Sequence, residues 1–73
     1  MRFLYMETRG KSMNIGHAIE RIRISENIPL NQMCDILGLT SEMDYHKIRT
    51  GMVAPTIYQQ IMVVMNTRKP LEI

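Results

Sequence analysis

Residues 30–51, LNQMCDILGLTSEMDYHKIRTG, decide how this chain folds. The first half is apolar at Leu30, Met33, Cys34 and Leu37, a period near 3.6, and it stops at Gly38, a residue suited to a left-handed helix C-cap. The second half restarts at once: Ser41 precedes Asp44 by the spacing of a capping box, and Tyr45 and Ile48 then share one face. The spacing predicts helices over 30–37 and 42–50, closed by Gly51. Two short helices joined by a Gly-containing turn form a helix-turn-helix.

The segments on either side extend the helical pattern. Upstream, Ser12 or Asn14 caps a first helix running to about Glu26, with Ile15, Ile19 and Ile22 as its buried stripe, widened by Ala18. His17 is expected at the surface. Asn27 ends this helix, and Pro29 holds Ile28 extended before the next one. Downstream, Thr56 caps a fourth helix from Ile57 to about Asn66, apolar at Ile57, Ile61, Val64 and Met65 and, through Met62 and Val63, greasy nearly all round. The tail containing Pro70, Leu71 and Ile73 can add a turn against the core or a partner. The expected architecture is therefore all-α, a small domain of four to five helices over residues 13–73. Residues 1–12 form an arm, either a mobile tail or a segment that adds an edge strand, packs on a second subunit, or follows a phosphate backbone through Arg2, Arg9 and Lys11.

Composition narrows the class. Seventy-three residues make one small domain, and a chain of this size buries only roughly 60% of its unfolded surface. Aromatics are scarce and tryptophan is absent, so an aliphatic core is expected, with eight methionines as soft filler. The single cysteine, Cys34, excludes an intramolecular disulfide and sits on an apolar face, where it is expected to behave as a small buried hydrophobe. No run has the length of a membrane span and residues 3–6 are too short for a signal-peptide core, so a cytoplasmic protein is expected. Catalysis has little support: Cys34, His17 and His46 are scattered, no metal-ligand or phosphate-loop spacing occurs, and Glu42 and Asp44, two apart on a helix, do not face each other. No cofactor or metal is expected. A net charge of +2 is compatible with nucleic acid without requiring it.

Residues 15–73 resemble the phage repressor and Cro family of helix-turn-helix proteins. Ile15, Gly16, Ile19, Ile22 and Arg23 are similar to its first helix; Ile28, Met33, Cys34, Leu37 and Gly38 are similar to its second; Ile48, Gly51 and Pro55 are similar to its closing segment. Three departures accompany the resemblance. Leu30 stands where the family usually has a phosphate-binding Gln, followed here by Asn31 and Gln32. The interval from Gly38 to Gly51 is about one residue longer, an addition best placed in the turn. Arg23 would face Arg49 where the family often pairs Arg with Glu, which turns Arg49 either toward phosphate or toward Glu20 or Glu26.

The resemblance implies sequence-specific binding of double-stranded DNA by a small transcriptional regulator. The helix starting at Ser41 would lie in the major groove, and a homodimer would engage a pseudo-palindromic site. Glu42, Met43, His46, Lys47 and Thr50 would then face base edges, and Asn31, Gln32, Thr40, Ser41 and Arg49 would face phosphates. Asp44 is expected to cap the helix, and Glu42 suits either a base contact or an ordinary helix-start preference. Phe3, Tyr5, Met62, Met65, Leu71 and Ile73 are the expected dimer surface. The acidic tip and the absence of Lys and Arg between Glu26 and Asp44 also fit an alternative, a module of the same fold that binds a protein partner as an antitoxin or anti-regulator does.

Overall fold

A computed structural model describes residues 14–71. Among them are four helices and no strand: α1 (Asn14–Ser25), α2 (Leu30–Leu37), α3 (Glu42–Arg49) and α4 (Ile57–Thr67). The all-α helix-turn-helix architecture expected from the sequence is what the chain adopts. The arm, with Phe3 and Tyr5, and the terminal Ile73 lie outside the described residues.

Each helix stops at a residue with positive φ. Asn27 (φ 57), Gly38 (φ 71), Gly51 (φ 87) and Arg68 (φ 59) follow α1, α2, α3 and α4 in turn. At the first three ends the next two amides fold back onto the helix. Asn27 N–H donates to Ile24 O and Ile28 N–H to Arg23 O; Gly38 N–H donates to Asp35 O and Leu39 N–H to Cys34 O; Gly51 N–H donates to Ile48 O and Met52 N–H to Lys47 O. This paired closure satisfies carbonyls that would otherwise end the helix unbonded. The fourth end is simpler, a single bond from Arg68 N–H to Val64 O at 2.8 Å.

Starts are equally local. Ser41 is the N-cap of α3, its hydroxyl accepting from Asp44 N–H at 3.3 Å. The full reciprocal box forms at α4 instead, where Thr56 Oγ1 accepts from Gln59 N–H and Gln59 Oε1 accepts from Thr56 N–H. Glutamine reaches back across the turn; aspartate at Asp44 is one methylene shorter.

The core is built from Ile19 and Ile22 of α1, Met33, Cys34 and Leu37 of α2, Tyr45 of α3 and Val63 of α4. Two expectations need correcting. The core is not wholly aliphatic, because Tyr45 is the largest fully buried side chain. Nor do the methionines fill it: among the described residues only Met33 is buried, while Met43, Met52 and Met65 are exposed. His17 is half-buried in the first turn of α1. Among the described residues no helix is long and apolar enough to cross a membrane.

Gly16 sets the distance between α1 and α3. A Cβ there would lie 2.0 Å from the carbonyl oxygen of Ile48, so only a residue without a side chain allows the two backbones to approach this closely. That approach brings Tyr45 against α1. On the far side, α4 packs on α2 in an unexpected phase: only Val63 is fully buried, and Ile57, Ile61 and Met65 of the expected apolar stripe point outward.

Candidate nucleic-acid interface

α3 buries a narrow edge, Tyr45 and Ile48, and presents the rest of its surface outward. Glu42, Met43, His46 and Thr50 are exposed, Met43 to 63%, and Lys47 is half-exposed. These are the five side chains for which the resemblance implies base contacts, and all five are accessible on α3 and its C-cap. Asn31 and Gln32 are exposed at the start of α2, where Pro29 stands as N-cap without a side-chain bond. Thr40 and Ser41 are exposed in the turn.

One carboxylate holds α3 in place. Glu20 of α1 accepts a forked pair of hydrogen bonds from Arg23, Nε to Oε1 at 2.9 Å and Nη2 to Oε2 at 3.0 Å. Tyr45 Oη donates to the same Oε1 at 2.6 Å. Arg49 Nη1 lies 3.7 Å from Oε2. The Arg23 hydrogen bonds hold the Glu20 carboxyl below its ordinary range, assisted by the Tyr45 hydroxyl and the two guanidinium charges and partly opposed by burial. Burial, then the bond to Glu20, pushes the Tyr45 phenol well above its usual value, so it remains a donor. Glu20 on α1 thus stands between Arg23 of its own helix and Arg49 of α3.

Arg49 therefore faces Glu20 while its side chain stays 40% exposed. Its other nitrogen, Nη2, is 2.9 Å from His46 Nδ1. A guanidinium can only donate, so Nδ1 is the acceptor and the His46 proton sits on Nε2. His46 then offers a donor to anything docked on α3. Thr50 is more constrained: its hydroxyl donates to the carbonyl of His46 at 2.8 Å, leaving a methyl group and lone pairs for outside contacts.

Carboxylates on α2 and α3 flank the turn. Burial raises the Cys34 thiol above its ordinary pKa, and the charges of Glu42, Asp35 and Asp44 add to that shift. Cys34 is buried and its Sγ lies 3.9 Å from the Ser41 carbonyl, a position that fits a packed, protonated thiol. Of the expected dimer residues, Met65 is exposed, Met62 is half-buried and Leu71 is half-buried against its own core. Among the described residues no group of His, Cys, Asp and Glu could hold a metal ion.

The pattern of residues did not announce the Tyr45 hydroxyl as a link to α1, nor Gln59 Nε2 donating to Leu37 O at 3.2 Å across α4 and α2. Gly16 did carry a signal, since a glycine inside an apolar helical repeat marks a close backbone approach. No protein-family model, characterised protein or solved structure matches this chain.

Proposed function

We propose that this chain binds double-stranded DNA in a sequence-specific manner and regulates transcription as a homodimer on a pseudo-palindromic site, with α3 in the major groove. The supporting observation is that α3 is fixed from behind by Tyr45 and Glu20 while Glu42, Met43, His46 and Lys47 stand outward beside an α2 start that no side chain caps. Lys47 and the His46 Nε2–H are donors suited to guanine O6 and N7, Glu42 is an acceptor for cytosine N4, and Met43 suits a thymine methyl. The free amides of the α2 start, with Asn31 and Gln32, are suited to a backbone phosphate.

A second reading, protein binding by the same surface, draws on Asp35, Glu42 and Asp44 clustered about Cys34 with the exposed Met43 nearby in α3. Selection from random duplexes followed by anisotropy titrations at several salt concentrations separates the two. DNA binding predicts an enriched motif and an affinity that falls steeply with salt, because each neutralised phosphate releases counterions. An unenriched pool and no binding at low salt would leave the protein-binding reading.

A further inference from the structure

α4 buries only part of its apolar surface on its own core. Inward it carries Val63, fully buried in the core, with Met62 and Val64 half-buried, and Gln59 donates to Leu37 O. Apart from Asn66, the α4 side chains that are exposed are apolar. Ile57 is 70% exposed, Tyr58 68%, Ile61 49% and Met65 63%. Residues 57, 61 and 65 fall four apart and form one stripe, with Tyr58 alongside. No charged residue occurs anywhere from 50 to 67.

From this we infer that the outer face of α4 is the seam between two copies of the chain, packed antiparallel about a two-fold axis at Ile61. The inference rests on the homodimer part of the function proposed above and not on its DNA part. Three features select a second copy. The stripe is symmetric about Ile61, so a two-fold axis there sets Ile57 against the partner's Met65 at both ends and Ile61 against its own counterpart, the self-complementarity an isologous interface needs. The antiparallel arrangement opposes the two helix dipoles. A face without charge provides no electrostatic address for a foreign partner, and it brings no like charges together when it meets itself.

The area also fits. These four side chains expose on the order of 500 Å² per copy, or about 1,000 Å² over two, the lower bound for a specific interface. The dimer is therefore a reversible one. Tyr58 belongs at its rim, ring packed and hydroxyl in water. The expected interface residue Met65 keeps its role, Ile57, Tyr58 and Ile61 join it, and Leu71 stays on its own core.

Sedimentation velocity of the full chain without DNA, across a wide concentration range, tests this. The wild type should shift from monomer to twice the monomer mass. Ile61→Lys and Ile61→Glu, each at an outward position and each checked for an unchanged melting curve, should stay monomeric when alone. Mixed in equal amounts they should restore the dimer, since opposite charges then meet on the axis. A wild type that stays monomeric would overturn the inference, and so would a dimer indifferent to Ile61→Lys or a mixture that fails to pair. Co-sedimentation of a monomeric wild type with neutral phosphatidylcholine vesicles would assign the face to a lipid surface instead. DNA titrations on the same samples keep the two proposals apart: loss of DNA binding with the dimer intact counts against the DNA reading, and a DNA-binding monomer counts against the seam.

Discussion

Tyr45→Phe isolates the contact that fixes α3 on α1. It removes one oxygen from a fully buried ring and leaves the packing shape unchanged. What is lost is a 2.6 Å bond to the Glu20 carboxylate. A hydrogen bond to a charged group contributes about 1.5–3 kcal/mol. The lower part of that range applies, because Glu20 retains both Arg23 bonds and its side chain is still 17% exposed, so water can replace part of the lost donor. An expected cost of about 1.5–2 kcal/mol at pH 7 lowers Tm by roughly 6–16 °C in a domain this small.

The pH dependence gives the prediction a second axis. The folded-state pKa of Glu20 lies below its ordinary value of 4.5. Its contribution is therefore complete above 4.5 and disappears as pH falls through the lowered folded value. The gap between wild type and Tyr45→Phe should follow the same course, full at pH 7 and closing under acid. Urea unfolding followed by circular dichroism from pH 7 downward measures it, with Tyr58→Phe, at a residue 68% exposed, as the control that should change nothing. A cost below about 0.5 kcal/mol at pH 7, or a gap that stays constant as the pH drops, would refute the claim that this carboxylate anchors α3.

Other substitutions probe space, backbone and recognition separately. Gly16→Ala forces a Cβ against the Ile48 carbonyl, which cannot rotate away, so it should cost at least the ~1–3 kcal/mol of overpacking, read as a collapse of the melting transition. Gly38→Ala meets nothing within 4 Å but keeps φ at +71, so chemical denaturation should show only the left-handed penalty of about 1–2 kcal/mol. Arg68→Gly relieves the same strain at φ 59, offset by added freedom in the unfolded chain, and should leave stability equal or raise it by up to about 1 kcal/mol in the same assay. On the selected DNA site, Lys47→Ala should cost about 1–3 kcal/mol and relax one base position; equal losses on every sequence would show that Lys47 does not read a base.

The parts of this fold that could be read from the sequence are those decided within a few residues. Gly38, Ser41, Gly51 and Thr56 set helix ends through bonds spanning five residues or fewer, and α2 has the predicted boundaries, while α3 differs only at its final residue. Tyr45 and Ile48 are legible as the inner edge of α3 because its outer positions, Met43 apart, are polar or charged. α4 offered no such contrast. With Ile57, Ile61, Met62, Val63, Val64 and Met65 all apolar, the composition could not show which side faces inward, and the phase adopted is the one that buries Val63 and lets Gln59 reach the Leu37 carbonyl. The same limit applies at the site. Arg23 opposite Arg49 left phosphate, Glu20 and Glu26 open as its partner, and the addition of Tyr45 to Glu20 depends on residues twenty-five apart in sequence meeting where the helices approach over Gly16.

The left-handed stop at Gly51 has a further consequence. Where α3 begins and ends is decided by Ser41 and Gly51 together with main-chain carbonyls, and Lys47 contributes its carbonyl, not its ammonium, to that closure. Glu42, Met43 and the amine of Lys47 stand apart from the frame, so they can be exchanged as a set while the helix keeps its length and pitch. A combinatorial library at these three positions would vary the address on a constant carrier, with the four helix ends as the parts that must not be randomised.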